Sequence, residues 1–289
     1  MNHTFKKGTV GLGLGVLLLT GRAAADDKVV LTGKLPPAGL VAVETGTNEM
    51  KDMPMTIAMQ GQDLSGTMTQ KAVTTETTTY QGPDKFTKEL NSSVIEGSVT
   101  MNGQANPTPN PPNPLEKVPV TFERKDGKWV PSLANGDKLT DLQSKALTSG
   151  GADKPFEADA AMYGTDPHKV GDKWDVDATK MPTFGSLSKV TGTMKCELVE
   201  VKEVQGMKAA VIKLSFDISG APDTGAEGGP EIKIHMTGEG TTTRSLDYAI
   251  DLESTLKAQM DMKGTVAPGV EMKVSGPMTM SRSITVKKP

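Results

Sequence analysis

The chain has 289 residues, with 32 basic and 35 acidic side chains, a net charge of −3, 4% aromatic residues and one cysteine. This mildly acidic balance excludes the clustered basic face that nucleic-acid binding requires. A lone cysteine, Cys196, excludes an intrachain disulfide.

The N-terminus predicts export. Lys6 and Lys7 precede an apolar stretch from Val10 to Leu19, and Ala23-Ala24-Ala25 offers small residues for a signal peptidase. A signal peptide over residues 1–25 is expected, cut before Asp26. The apolar run is far short of the ~20 residues that span a bilayer, and no cysteine near the cut would accept a lipid. Loss of the leader's three basic residues leaves 29 against 35 acids, a mature charge of −6. The protein is expected in the periplasm or outside the cell, not spanning a membrane.

The mature chain reads as two halves, 26–164 and 165–289, forming one compact unit. In the first, Met53, Met55, Ile57 and Met59 alternate as in a strand, with Pro54 suggesting an edge or a strand start. The Thr-rich residues 67–80 are β-prone, and Ile95, Val99 and Met101 mark another strand. Asn106 to Pro114 reads NPTPNPPNP, an exposed extended loop that cannot join a sheet interior. Val118, Val120 and Phe122 resume the alternation, and Asp126-Gly127 predicts a hairpin before Trp129. Leu139, Leu142, Ala146 and Leu147 recur at helical spacing, so a short helix is expected over 138–147 with Gly150-Gly151 as its stop. A second helical turn is expected within Pro155 to Tyr163.

The second half opens on PHKVGDKW, Pro167 to Trp174. From Ala210 onward apolar side chains fall on even positions and polar ones on odd positions. A period of two puts one face of each strand on a core and the other in water. Strands are expected near 189–204, 207–218, 230–246, 252–265 and 270–287. Gln205-Gly206 is the first turn, and residues 220–230 form a Gly-rich loop. The parity flips near Leu198-Val199, which a β-bulge would explain. It then holds from Ile232 to Met262, so a turn around Asp247 to Asp251 must have an even loop count. Strands this long coil sheets on themselves. The fold class expected is therefore all-β: a long-stranded, strongly curved antiparallel sheet or barrel in meander order, with one or two short capping helices. An outer-membrane barrel would need aromatic girdles at both interfaces, which the ten aromatic residues of the mature chain cannot build.

The stretch Pro167, Lys169, Val170, Gly171, Asp172 and Trp174 resembles the central P-x-K-V-G-D-x-W motif of a family of secreted bacterial all-β proteins of unknown function. The strand and D-G-K turn from Val118 to Lys128 and the C-terminal meander fit the same family. The resemblance implies an exported, non-enzymatic protein and carries no catalytic residues. In physical terms Gly171-Asp172 makes a turn and Trp174 anchors the incoming strand in the core.

Catalytic patterns are lacking. Ser186-x-x-Lys189 and Ser254-x-x-Lys257 have no accompanying S-D-N or K-T-G. Gly238-x-Gly240 lies in a strand without a following helix. His168 and His235 read as isolated, His235 on the wet parity, whereas zinc wants clustered ligands. Asp247, Asp251 and Asp261 read as a wet strand face. Cys196 reads as a buried small hydrophobe. No catalytic residue, metal or cofactor is expected.

Sixteen methionines remain after cleavage, mostly on the apolar parity. Met suits core filling, and equally an adaptable apolar cavity. Two functions stay open. One is an exported protein holding a lipid or acyl chain in the curve of the sheet, lined by Met194, Met236, Met260, Met272, Met278 and Met280. The other is an envelope structural or interaction protein with a filled core.

Overall fold

In the computed structural model, the protein is described over residues 28–148, 156–181, 183–184, 187–222 and 231–289. The expected leader, Gly150-Gly151, Ser186 and most of the 220–230 loop lie outside the described residues.

Strands dominate because alternation dominates. The first meander holds β1 (Val41–Met59), β2 (Gln62–Gly82), β3 (Lys85–Met101) and the short β4 (Gln104–Pro107). The hairpin β5 (Val120–Lys125) and β6 (Lys128–Leu133) follows, then the helices α1 (Asp141–Thr148) and α2 (Glu157–Tyr163). Next come β7 (Lys173–Asp177) and β8 (Thr183–Phe184). The second meander is β9 (Leu187–Val204), β10 (Met207–Pro222), β11 (Glu231–Ser245), β12 (Asp251–Ala267) and β13 (Val270–Lys287).

All thirteen belong to one antiparallel sheet, ordered β6-β5-β3-β2-β1-β13-β12-β11-β10-β9-β7, with β4 on β3 and β8 on β9. The sheet is curved and open, its path ending at β6 and β7. The pairing of β1 with β13 joins the two halves into a single sheet. Two-residue turns with positive φ at both positions connect many of the hairpins. Gln60-Gly61, Asn102-Gly103, Asp126-Gly127 and Gln205-Gly206 all have this geometry, which matches the right-handed strand twist.

The flip at Leu198-Val199 is a bulge: Val211 pairs with Glu200 and Ile212 with Leu198, which leaves Val199 over. At the β11–β12 turn the expectation of an even loop fails. Leu246 to Ile250 is an odd count, and a second register shift between Thr243 and Arg244 restores the facing. Pro54 is likewise not at an edge. It lies inside β1, between β2 and β13, just after the break in the β2 ladder between Met50 and Met53 and within the break in the β13 ladder between Met50 and Met55. That break lays the fully buried Met53 over Gly276, where a Cβ would meet Met53 Cγ at 3.1 Å. The Pro-rich segment starts within β4 and then follows the outer edge of β3. Thr108 donates to the Gly97 carbonyl and Lys117 to that of Leu90, which shields an otherwise open edge. Helix α1 begins after Leu139 and leaves Leu142 exposed, while Leu147 is buried.

Two apolar clusters cover the inner face. The larger holds Met53, Met55, Met194, Leu198, Ile212, Phe216, Met236, Met260 and Met278, with Val29 and Leu31 of the N-terminal segment laid on it. The smaller gathers aromatics around Phe86, whose ring stacks 4.9 Å from Phe122 and meets Trp129 edge-on at 5.1 Å.

Candidate functional site

Between the two clusters the inner face turns polar. Charged residues occupy inward positions there: Glu44 on β1, Glu76 on β2, Lys88 on β3, Arg244 on β11 and Arg282 on β13. Each is tied to an opposite charge. Arg282 grips Glu44 with both ends of one guanidinium edge, Nε to Oε1 at 2.6 Å and Nη2 to Oε2 at 2.7 Å. Lys88 meets Glu76 at 2.5 Å.

Arg244 is the deepest of them, with only 1% of its side chain exposed. Its Nη1 donates to Asp251 Oδ1 at 2.9 Å, its Nη2 to Asp159 on α2, and its Nε to the Leu31 carbonyl at 2.8 Å. The guanidinium also lies 4.2 Å over the Tyr163 ring, a favourable cation–π placement. Tyr163 in turn donates its hydroxyl to Asp251 at 3.1 Å. Burial opposes the charge of Arg244, but Asp251, Tyr163 and Asp159 outweigh it and hold the group a firm cation. Burial pushes the Asp159 carboxyl up, against the pull of Arg244. Burial, followed by Asp251, pushes the Tyr163 hydroxyl well above its ordinary value. Asp251, expected on a wet strand face, is thus part of an internal network. A recess of about 220 Å³ opens beside it, its wall including Glu44, Arg244 and Arg282 together with the aromatic Tyr80, Phe86 and Phe156.

The six methionines expected around a cavity share the larger apolar cluster. Met194, Met236, Met260 and Met278 are buried within it, and Met272 and Met280 pack half-buried against it. Neither the 220 Å³ recess nor a second one of about 670 Å³ takes a methionine into its wall. The larger recess lies on the opposite, polar face, where Lys195, Lys213 and Lys257 stand among Glu197 and Glu239 across five strands. Met260 is buried while Asp261 and Lys257 are exposed; Met262 is only half-buried.

Gly171 takes φ +94° in its turn. Asp172 accepts from Lys169 N at 2.9 Å, and Gly171 N reaches the Leu198 carbonyl at 2.7 Å. Trp174 is half-buried, donates Nε1–H to the Met162 carbonyl at 2.9 Å, and meets the His168 ring at 4.2 Å with the planes tilted by 33°. His235, expected to be isolated, instead places Nε2 2.8 Å from Asp217, with Asp261 4.0 Å from Nδ1. Cys196 is buried, and desolvation raises its thiol to about 12, so it stays uncharged. Among the described residues no group of three or more His, Cys, Asp or Glu is placed to hold a metal ion.

Sequence reasoning passed over Arg244 and Arg282. The signal was available: both occupy even positions in a run where even means inward. A charge on the apolar parity announces either an exposed end or a buried partner.

No family model matches the chain, and no curated protein matches it. Among solved structures, the chain is similar to one described under lipid–protein interactions in lipovitellin. The two share 7% identity at a TM-score of 0.48, over 88% of this chain. The chain spans 26% of the length of that protein. A second is the translocator domain of the autotransporter NalP from Neisseria meningitidis, at 8% identity and a TM-score of 0.21. That match covers 86% of this chain and 89% of that one.

Proposed function

We propose that the protein is an exported, non-enzymatic binding protein of the periplasm or extracellular space that takes a single-chain amphiphile in the hollow of its sheet. The apolar chain lies along the inner methionine face, and the head group rests at the charged band. One observation carries this reading. Met50, Met68, Met101, Met272 and Met280 are packed against the core but left half-buried, and Met280 is followed two residues on, on the same face of β13, by Arg282, which keeps 44% of its side chain open. An apolar strip ending in a partly open guanidinium is what an acid with a hydrocarbon tail requires. Flexible, polarizable Met side chains adapt to such a tail.

A fluorescent fatty-acid probe is expected to bind the mature protein at micromolar concentration, about −8 kcal/mol. Met272→Glu with Met280→Glu is expected to abolish binding while the far-ultraviolet circular dichroism stays that of a folded sheet. A second reading, an envelope structural or interaction protein, draws on the broad polar face and its 670 Å³ recess. It stands if the folded wild type binds no probe.

A further inference from the structure

Three features of the inner face converge one step beyond Arg282. Asn48 lies on β1 opposite Met280, and its Oδ1 is buried with no hydrogen-bond partner. Gly46, opposite Arg282, sits between Glu44 and Asn48 on the same face and contributes no side chain. A Cβ there would come within 3.0 Å of Thr74 Oγ1, so glycine fits this position best and leaves no side chain between Glu44 and Asn48. Arg282 itself commits one guanidinium edge to Glu44, and its Nη1 side has no protein acceptor among the described residues. The neighbouring acids each have a cation of their own, Glu76 in Lys88 and Asp251 in Arg244.

A buried amide oxygen without a donor is costly, by about 1–3 kcal/mol, and its carbonyl can only accept. A guanidinium edge without an acceptor can only donate. Asn48 and Arg282 are diagonal neighbours on one face of β1 and β13, positions whose backbones lie about 7–8 Å apart. Neighbouring positions of this kind put both groups within reach of one short unit that hydrogen-bonds at each end over about 2.9 Å. That unit needs an oxyanion at one end and an N–H or O–H donor at the other.

We propose that the head group of the ligand is an oxyanion with an adjacent hydrogen-bond donor. An N-acyl amino acid has this chemistry with an amide N–H, and a lysophosphatidic acid has it with a glycerol hydroxyl. The oxyanion sits on the open edge of Arg282, the donor on Asn48 Oδ1, and the chain runs past Met280 toward Met272. This rests on the binding function proposed above and specifies its head group.

The test is displacement of the fluorescent fatty acid from the full mature chain by laurate, N-lauroylglycine and 1-lauroylglycerol 3-phosphate. At least one of the two donor-bearing ligands is expected to displace the probe at about tenfold lower concentration than laurate, the value of one added charge-assisted or buried hydrogen bond. In Asn48→Ala that advantage is expected to disappear, whereas Arg282→Gln weakens every acid, with melting curves confirming that both variants fold. Binding of N-lauroylglycine alone identifies the amide, and of the phosphate alone the hydroxyl. Displacement by laurate with no gain from either donor overturns the head-group assignment and leaves the binding function standing. Failure of all three, with no probe bound, overturns both.

Discussion

Arg244 shows how much one side chain can organise when it is charged and fully enclosed. It joins β11 to β12 through Asp251, to α2 through Asp159 and Tyr163, and to the N-terminal segment through the Leu31 carbonyl. Removing one member of a buried ion pair leaves the other without compensation. Arg244→Ala is expected to cost about 3–5 kcal/mol in urea unfolding. Arg244→Lys should recover only part of this, because an ammonium cannot present the same fork. Asp159 adds a pH signature. Its folded carboxyl is raised, chiefly by burial, so between the unfolded value of about 3.9 and the folded one the native state binds more protons. Stability from this group is therefore present at low pH and is lost as pH rises through that window. Urea unfolding across the acid range should show that negative slope in the wild type, flattened in Asp159→Asn. A slope difference of opposite sign would refute the assignment.

At the scale of elements, the motif around Trp174 works through geometry rather than chemistry. Gly171 supplies a positive φ, Asp172 closes the turn onto Lys169 N, and Trp174 then enters β7 opposite Cys196. Its indole N–H ties the strand to the end of α2 through Met162. Because the ring is half-buried, Trp174→Ala is expected to cost about 3 kcal/mol, the low end for aromatic truncations. A thermal melt that does not move would reassign Trp174 to surface recognition. Much of this scale could be read in advance. Strands β9 to β13 fall where alternation puts them, and the Val199 bulge was marked by a parity flip. The break in β1 was not, since Pro54 reads as an edge residue until it is seen that β13 also interrupts its pairing there.

For the whole molecule, the decisive contact is between strands more than 200 residues apart, from Met59–Val270 to Val41–Lys287. β1 is hydrogen-bonded to β2 on one side and to the last strand, β13, on the other. Neither half completes a sheet without the other. A fragment of residues 165–289 exposes the full edge of β13, and such unpaired edges associate. It is expected to elute as oligomers in size-exclusion chromatography, with residues 26–289 monomeric at the same concentration. A monomeric, folded fragment would mean that the halves are independent units.

Alternation along the chain was enough to determine an all-β, long-stranded curved sheet, the order of its second meander and the face most of its side chains take, Asp251 excepted. This is because a strand of period two reports its burial residue by residue. The charged band escaped that reading for a physical reason. An inward charge is tolerated only if its partner is also inward, and here partners come from distant segments: Glu44 for Arg282, Asp159 and Leu31 for Arg244. Periodicity says which way a side chain points. Only the folded sheet decides which pairs meet, how much of Arg282 stays open, and that the half-buried Met280 lies beside it on an inward face.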